Sequence, residues 1–512
     1  MKTFLLHPDE DFDFDAALPA NDAALTQDLE LDTLFSAMAA GDALLAEVAR
    51  RVVLRGAGEP RAVTYRQRVL ADCIANPSVA RGIYELAGDA LATQRAIWGG
   101  FSRDMPTTLV RTAVQKLEVL AGFLAQLSRI SAEHAGACHS EGFTRFFAMI
   151  DHELDDAYLA QIDRHLTALK FRGGTLISAG LGPGNRGRHH VLREAHEQRW
   201  LGRILDRSGY SFTIPERDDS GFRALTELQD RGLDEVANAL TQAVEHVTSF
   251  LTTLRVEVGF YVACLNLHDV LAARGQATTF PEPVPRAETA FRARGLSDVG
   301  LALTVGHPVI ANDVDADGRS LVVITGANQG GKSTFLRSVG LAQLMMQCGM
   351  FVGASAMRAS MCESIFTHYK REEDATMRSG KLDEELARMS EIADLIEPTS
   401  LLLCNESFAA TNEREGSEIA RQVIRALLDA GVRVMFVTHL FDLADRLHRE
   451  ADDRALFLRA ARAADGSRPY ALGLGAPLPT SYGEDSFAKV FGRPVGPPSR
   501  GTAPTPIPTA LT

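Results

Sequence analysis

One stretch, LVVITGANQGGKS at positions 321–333, constrains the fold of this 512-residue chain more than any other. Residues 321–325 are apolar and rich in β-branched side chains, which predicts a buried strand. The next residues fit the pattern GxxxxGK[ST], and a helix pattern begins at Lys332. A strand, a glycine-rich loop and a helix in this order form a phosphate cradle, because glycine lets backbone N–H groups turn inward and the helix adds its positive end.

The loop also predicts individual roles. We expect Lys332 to reach the β- and γ-phosphates of ATP and the Ser333 hydroxyl to ligate Mg²⁺. A glycine-rich turn without a ligand is the alternative, but the strand before the loop and the helix after it favour a nucleotide site. The predicted nucleotide-binding residues are the loop and the start of its helix: Gly326, Ala327, Asn328, Gln329, Gly330, Gly331, Lys332, Ser333 and Thr334.

Two more strand ends carry polar residues suited to phosphoryl transfer. The apolar run 401–404 ends in Asn405 and Glu406, and the run 434–438 ends in His439. Transfer of a phosphoryl group to water needs a carboxylate that orients or deprotonates the water, and Glu406 is placed for this. His439 is placed to touch the γ-phosphate. Each could be an ordinary polar strand-end residue, but with the P-loop they form a catalytic set that predicts ATP hydrolysis.

Strands and helices alternate on the C-terminal side, which predicts a parallel sheet with its site at the carboxyl ends of the strands. The predicted elements are strand 321–325, helix 332–348, strand 401–404, helix 413–429 and strand 433–438. Residues 20–275 instead have mainly helical patterns. The sequence therefore predicts an α/β P-loop NTPase domain preceded by a mainly α-helical region with a small β insertion.

The helical region contains a long apolar seam. Apolar residues between Leu240 and Leu265 recur at alternating steps of four and three, which predicts a helix of about 40 residues. A long core helix and a lever or coiled arm are both compatible with it. A second helix pattern starts at Val110. Between the two, short strand-like runs at 175–178, 189–192 and 211–214 predict a compact β insertion at the tip of a helical arm.

The insertion differs in charge from the rest of the chain. Residues 170–217 contain nine Lys or Arg and four Asp or Glu, whereas the whole chain has a net charge of −13. A solvated surface explains this as simply as a contact with a DNA backbone does, where Lys and Arg gain by releasing counterions. If DNA binds here, we expect Arg186 and Arg188, in the glycine-rich turn, to contact its phosphates.

The remaining composition excludes some classes of protein. The six cysteines are scattered without a CxxC pair, which predicts reduced thiols in the cytoplasm and neither disulfides nor zinc sites. Because no run of 18 apolar residues occurs, we expect no membrane span. The start of the chain is apolar too briefly for a signal peptide. Residues from about 492 onward are rich in Pro, Gly, Ser and Thr, which predicts a disordered tail.

Seven segments resemble the MutS mismatch-repair family. Its usual P-loop phrase is TGPNMGGKST, and Asn328 shares the family's asparagine inside the loop. The resemblance covers about 190 residues, and the helical half resembles the family's core, lever and clamp regions only in architecture. The segments are GHPVI at 306–310, TGANQGGKSTFLR at 325–337, IFTHYKREED at 365–374, MRSGKLDEELARM at 377–389, LLLCNESFAATNEREG at 401–416, VTHLFDL at 437–443 and TSYGEDSFAKVFG at 480–492.

The resemblance implies an ABC-type homodimer. In that arrangement Ser379 and Gly380 of one subunit cover the γ-phosphate held by the P-loop of the other. The chain departs from the family pattern at Asn405, where the family has aspartate. Asparagine is neutral and holds Mg²⁺ less strongly than a carboxylate, so we expect slower or less tightly magnesium-dependent hydrolysis. We also expect that the family's mismatch-reading domain is missing, because the only Phe-x-Glu tripeptide, at 280–282, lies among connector prolines.

Two functions remain open at this stage. The first is an ATP-switched dimer whose basic arm tips hold DNA, in repair or recombination. The second is an ATP-gated scaffold whose arms bind a protein partner. The predicted organisation is a helical core-like region at 1–145, helical arms with the β insertion at 146–275, a connector at 276–300, a MutS-like ATPase domain at 301–491 and a disordered tail at 492–512.

Overall fold

The computed structural model describes residues 1–97, 105–172, 174–185, 187–193, 212–371, 380–450, 453–463, 465–480, 482, 484 and 485. The chain divides into two compact units, and both are assembled from separate stretches of sequence. Unit 1 consists of Met1–Leu18, Phe35–Asp269 and Cys348–Met350. Unit 2 consists of Pro19–Leu34, Val270–Gln347 and Phe351–Thr512. The predicted disordered tail at 492–512 lies outside the described residues.

Unit 1 is mainly helical. Its helices are Leu31–Ala39, Ala43–Arg55, Pro60–Ala75, Pro77–Ala96, Pro106–His134, Glu141–Glu153, Asp156–Ala168 and Asp219–Ala273, the first and last of which also contribute residues to unit 2. Local sequence explains several of the starts. Asp42, Ser140 and Asp155 accept N-terminal backbone N–H groups as helix caps. Proline occupies the first turn of three further helices, where no N–H partner is required.

The helix Asp219–Ala273 has 55 residues, longer than the predicted 40 or so. Residues 219–231 contain no buried residue, residues 232–255 bury one face, and residues 256–265 are all buried. The helix therefore becomes more buried along its length and is a core helix toward its end. By length and composition it could also cross a membrane, but 67% of its most apolar 18-residue window is buried inside the protein, as in the core helix of many folded domains.

The predicted β insertion is a two-stranded antiparallel hairpin, formed by β1 (Leu176–Leu181) and β2 (Gly187–Arg193). It packs on the long helix at Gly232, where a Cβ atom would lie 2.6 Å from Ile177. Leu192 joins the apolar cluster between the helices. The third expected run differs, because residues 212–214 form no strand and residue 211 lies outside the described residues.

The first 16 residues of unit 1 are held by buried polar groups. The Glu257 carboxylate, fully buried on the long helix, accepts backbone N–H groups from Leu5 at 2.7 Å, Leu6 at 3.3 Å and Phe12 at 3.0 Å. Burial raises the pKa of Glu257, although these hydrogen bonds oppose the shift. Three arginines stack over phenylalanines of this segment: Arg51 on Phe14, Arg55 on Phe12 and Arg145 on Phe4. A buried carboxylate thus takes the place of a neighbouring strand as hydrogen-bond partner.

Unit 2 contains a sheet of six strands. These are β6 (Leu321–Gly326), β8 (Ile365–Tyr369), β9 (Leu401–Asn405), β10 (Arg433–Val437), β11 (Ala455–Ala460) and β12 (Leu472–Leu474). Their order in the sheet is β12-β11-β6-β10-β9-β8, with five parallel strands and β12 antiparallel at one edge.

The predicted strands and helices of this region match the structure to within about one residue. The unit's own helices are Asp22–Asp28, Val299–Val305, Lys332–Gln347, Lys381–Leu395, Glu413–Asp429 and Phe441–Glu450.

Residues 276–300 need a correction, because they are not a connector. They contain β3 (Glu282–Val284) and β4 (Phe291–Leu296), which join β5 (Asn312–Asp315) and β7 (Ala356–Ser360) in a four-stranded sheet of order β3-β7-β4-β5. The prolines suggested a linker. Proline is compatible with β3 because this strand lies at the sheet edge, where one N–H row needs no partner.

The segment Pro19–Leu34 belongs to unit 2 although it lies far away in sequence. Asn21 donates to the carbonyl oxygen of Ile365 at 2.7 Å, and Glu30 forms an ion pair with Arg337. Leu29 is fully buried against Gly340 of the helix Lys332–Gln347, where a Cβ atom would lie 2.7 Å from the leucine. The absence of a side chain at Gly340 thus makes the space that Leu29 fills.

Candidate functional site

The glycine-rich loop, residues 326–333, connects β6 to the helix Lys332–Gln347 as predicted. Gly326 has a φ of 109°, and a Cβ atom there would lie 2.8 Å from backbone atoms of Ala460, so only glycine fits. Gly331 also has a positive φ of 87°. The loop lines a cleft of about 700 Å³, which the carboxyl ends of the parallel strands also border.

Lys332 lies at the end of this loop, where the helix begins, and is almost fully buried. Its Nζ donates to the carbonyl oxygens of Gly326 and Ala327, each at 3.1 Å. Burial lowers the pKa of the Lys332 ammonium, and the nearby Glu406 carboxylate opposes the shift. The ammonium is therefore hydrogen-bonded to carbonyl oxygens of the loop itself. A phosphate in the cleft would compete with these oxygens as a stronger acceptor.

Ser333 and Asn405 meet at the edge of the cleft. The Ser333 hydroxyl donates to Oδ1 of Asn405 at 2.9 Å, although the two residues are 72 positions apart. The pairing follows from the sheet, because Asn405 ends β9, two strands away from β6. A hydroxyl and an amide oxygen are both hard donors of the kind Mg²⁺ accepts. The described residues contain no cluster of three or more His, Cys, Asp or Glu side chains that could hold a metal ion.

Glu406 and His439 face each other across the ends of β9 and β10. His439 Nδ1 lies 3.8 Å from Oε2 of Glu406, and Glu406 N–H donates to the Val437 carbonyl oxygen at 2.9 Å. The His439 side chain lowers the pKa of the Glu406 carboxyl, burial opposes this, and Lys332 and Lys370 add to the lowering. Glu406 is therefore ionised at neutral pH, as acceptance of a proton from water requires.

The cleft has a second wall that the sequence did not assign. Residues 307–310 follow the helix Val299–Val305 and also line the cleft, as does Tyr470, which lies beside Gly331 of the loop. Asn312 fixes the Tyr470 region, because its amide donates to the Tyr470 carbonyl oxygen at 3.2 Å and accepts the Leu472 N–H at 2.7 Å. The motif GHPVI marked this stretch without giving it a role. No local pattern pointed to Asn312 or Tyr470.

An arginine cluster also contacts the loop. Arg468 donates to the Asn328 carbonyl oxygen at 3.1 Å and pairs with Asp485 at 2.8 Å. Arg462 pairs with the same carboxylate at 2.7 Å and lies over the ring of Tyr482. The two arginines lower the pKa of Asp485. Asp485, in one of the segments that carry the family resemblance, is thus linked to the P-loop through Arg468, which the sequence alone did not reveal.

Other predicted site residues lie elsewhere or outside the described part of the chain. Gly380 precedes the helix Lys381–Leu395 and does not line the cleft, and Ser379 lies outside the described residues. Arg188 is exposed on β2 in unit 1, whereas Arg186 lies outside the described residues. The structure therefore places the P-loop, Asn405, Glu406 and His439 around one cleft and leaves the roles of Ser379, Gly380 and the two arginines as predictions.

Two family models match the chain. Residues 58–274 match the MutS2 N-terminal domain, and residues 322–468 match MutS domain V. A DNA mismatch repair protein MutS from Anaeromyxobacter dehalogenans is 28% identical over 459 residues, which cover 81% of this chain and 51% of the relative. The chain belongs to the MutS family.

Other MutS relatives match shorter parts of the chain. The DNA mismatch repair protein MutS of Porphyromonas gingivalis is 34% identical over 31% of this chain and 20% of its own length. That of Chloroflexus aurantiacus is 30% identical over 41% of this chain and 24% of its own length. The chain thus spans from a fifth to about half of these curated relatives.

The two matches agree with the architecture. The MutS2 N-terminal match covers most of the helical unit with its hairpin, and the domain V match covers the P-loop, Asn405, Glu406 and His439. Neither matched domain is a mismatch-reading domain. Domain V is the P-loop ATPase domain of MutS proteins, so its match supports ATP binding in this cleft.

Proposed function

We propose that this MutS-family chain binds and hydrolyses ATP as a homodimer and uses the nucleotide to switch a DNA-holding clamp in DNA repair or recombination. The observation that carries the proposal is the convergence at one cleft of Lys332, the Ser333–Asn405 pair and the Glu406–His439 pair. These residues come from three neighbouring parallel strands of one sheet. Such an arrangement matches the electrostatic needs of phosphoryl transfer.

Each residue has a defined role in hydrolysis. Lys332 and the loop N–H groups hold the β- and γ-phosphates, and Glu406 accepts a proton from the attacking water. The new P–O bond forms on the γ-phosphorus while its bond to the β,γ-bridging oxygen breaks, which releases ADP and phosphate. His439 donates to the γ-phosphate. Mg²⁺, held by Ser333 and Asn405, would neutralise charge on the phosphates.

Two substitutions test this chemistry. Lys332→Ala should abolish ATP binding, whereas Glu406→Gln should keep ATP affinity and slow turnover by a factor of at least about a hundred, since it keeps the shape and removes the base. Glu397→Gln, an exposed carboxylate just before β9, serves as the matched control. Normal turnover in Glu406→Gln would exclude Glu406 as the base.

The dimer is tested by dilution and by mixing. If Ser379 and Gly380 complete the neighbour's site, specific activity should rise with protein concentration at the dilute end. A Lys332→Ala subunit mixed with a Ser379→Arg subunit should regain one working site, because each supplies the part the other lacks. A rate that does not change with concentration would contradict the dimer.

DNA binding is proposed from the relatives' shared name and from the hairpin. Arg188 and Arg193 are exposed on β2, the strand that follows the glycine-rich turn. Replacing Arg186 and Arg188 by Glu should weaken binding to all duplex sequences alike and lower the salt slope by roughly 0.9 per lost phosphate contact. Arg61→Glu, on the exposed side of another unit 1 helix, is the control. An unchanged slope would remove the hairpin from the DNA interface.

A protein partner remains the second candidate, because the same region exposes apolar side chains. Leu181 of the hairpin is 80% exposed, and Phe222 and Leu228 of the long helix are 53% and 46% exposed. Exposed apolar residues on both elements favour a protein contact over DNA phosphates. Leu181→Ser should leave DNA affinity unchanged if the hairpin binds DNA backbone, and should weaken assembly with a partner if it binds protein.

A further inference from the structure

A buried polar bridge joins the residues after Glu406 to the helix Lys381–Leu395. Its central residue is His368, which lies one residue before the end of β8 and has no exposed surface. The imidazole Nδ1 lies 2.7 Å from the Ser407 hydroxyl, and Nε2 lies 3.0 Å from the Glu385 carbonyl oxygen. None of these three residues was singled out by the sequence patterns for a role in hydrolysis.

The turn on one side of the bridge needs support. Glu406 and Phe408 both have left-handed backbones, with φ of 56° and 60°, and Ser407 between them is fully buried. A left-handed conformation costs a non-glycine residue about 1 kcal/mol or more, so two of them persist only where surrounding contacts hold them. The His368 ring supplies such a contact, since it stacks on Phe408 with ring centres 5.5 Å apart.

The helix on the other side begins directly after Gly380. Gly380 provides no side-chain cap, so the first turn depends on other contacts. Glu385, one turn further along, supplies one of them, because its carbonyl oxygen accepts from His368. Burial raises the pKa of the Glu385 carboxyl, and the Phe408 backbone N–H opposes the shift. The turn and the helix are therefore joined through His368.

The partner of Nε2 fixes one ring hydrogen of His368. A carbonyl oxygen can only accept, so Nε2 carries a hydrogen, and in the neutral ring Nδ1 then accepts from Ser407. The Ser407 hydroxyl also lies 2.7 Å from the His368 carbonyl oxygen, so its single hydrogen is shared between two acceptors. Burial, with Arg388 next, lowers the pKa of His368 to about 4, so the ring is neutral at physiological pH.

We propose that His368 is a positioning residue that couples the Glu406 turn of one subunit to its own helix Lys381–Leu395, and through that helix to Gly380, which in the proposed dimer lies at the neighbour's ATP site. The proposal rests on the proposed dimeric ATPase. The rigid ring sets the separation of Ser407 and Glu385, so it holds the helix in place relative to the turn with or without bound nucleotide. A packed buried network keeps such a separation because it has few ways to relax.

Two substitutions distinguish the two hydrogen bonds of the His368 ring. His368→Asn places an amide near the position of Nδ1 and keeps the Ser407 contact, whereas His368→Gln places an amide near Nε2 and keeps the Glu385 contact. Loss of either buried hydrogen bond should lower kcat about tenfold while KM for ATP changes little. Ser131→Ala, which removes a buried hydroxyl in unit 1, is the matched control for such a loss.

A double substitution tests whether Ser407 and His368 act as one unit. Ser407→Ala removes the same His368–Ser407 hydrogen bond as His368→Gln does, so the two substitutions together should lower kcat no further than either alone. Multiplied losses would show independent effects and overturn the bridge. A KM that rises with unchanged kcat would also overturn it, since the bridge is not expected to contact the nucleotide.

Mixed dimers show which subunit's site the bridge serves. A Lys332→Ala subunit mixed with a Ser379→Arg subunit has one working site, because both homodimers are inactive. In the mixed dimer the Ser379→Arg subunit holds ATP, and the helix of the Lys332→Ala subunit completes the site. Adding His368→Gln to the Lys332→Ala subunit should lower the activity of that mixture about tenfold. Full activity of this mixture would overturn the coupling across the dimer. Failure of Lys332→Ala and Ser379→Arg subunits to complement each other would instead refute the dimer itself, so the two failures are distinguishable.

Discussion

Gly416 tests how tightly the catalytic turn is packed. It lies in the first turns of the helix Glu413–Asp429, and a Cβ atom there would lie well under 3.0 Å from the carbonyl oxygen of Phe408. That oxygen belongs to the turn that begins at Glu406. Because it is a backbone atom, it cannot rotate away as a side chain can, so Gly416→Ala must displace either the helix or the turn.

Two effects of opposite sign compete in this substitution. Alanine favours a helix over glycine by about 1 kcal/mol, which would stabilise the protein. Forcing an extra methyl into a packed site costs about 1–3 kcal/mol, and a backbone neighbour places this site near the upper end. We therefore expect a net loss of about 1–2 kcal/mol and a lower kcat, because displacement of Phe408 also displaces Glu406.

A second glycine provides the control. Gly122, in the helix Pro106–His134, has no neighbouring atom within 4 Å of the position of a Cβ atom. Gly122→Ala therefore gains the stabilisation that alanine gives a helix without the clash. Calorimetric unfolding of the two variants should therefore give shifts of opposite sign, with turnover reduced only in Gly416→Ala. A Gly416→Ala protein as stable and as active as wild type would refute this account of the packing.

Three further outcomes follow from the structure. The pKa of His368 is 6.5 in the unfolded chain and about 4 in the folded one, so the unfolded state binds the proton first. The free energy of unfolding should therefore fall as the pH drops from about 6.5 toward 4, by up to about 3 kcal/mol. Amide exchange of β9 should show this loss in wild type and a flatter pH profile in His368→Asn. Asn405→Asp should lower the magnesium concentration for half-maximal turnover, because a carboxylate adds charge beside Ser333, and an unchanged midpoint in a magnesium titration would mean that other groups already satisfy the ion. Glu257→Ala should leave two buried N–H groups and one partly buried N–H group without an acceptor and destabilise the docking of residues 1–16 by about 3 kcal/mol, which faster proteolysis in that segment would reveal. Glu257→Gln keeps one acceptor oxygen and should cost less.

The parts of the site that could be predicted are those encoded by short stretches of chain. The loop before Lys332 needs glycine at fixed positions, and Asn405, Glu406 and His439 each follow an apolar run directly. A parallel sheet brings such strand ends to one edge, so their meeting follows from the order of the elements. Strand bounds were accurate here because buried parallel strands have near-continuous apolar runs.

The parts that could not be predicted depend on contacts between distant residues. Arg468 contacts Asn328 across 140 positions, and Glu257 holds Leu5 across 252. A buried arginine, glutamate or histidine has the same local pattern as an exposed one until its partner is known. The connector was mispredicted for a related reason, because proline excludes a residue from an interior strand but not from an edge such as β3.

The interleaving of the two units has a consequence for how the molecule can be divided. A fragment that begins at Val270 contains the whole parallel sheet and the P-loop, yet it lacks residues 19–34. The space above Gly340 would then lose Leu29, and Arg337 would keep Asp298 but lose Glu30. The ATP-binding unit is therefore not a module that truncation or gene fusion can transfer as one continuous piece. Any transplant of this nucleotide site must carry both stretches of sequence or supply a substitute for the missing helix.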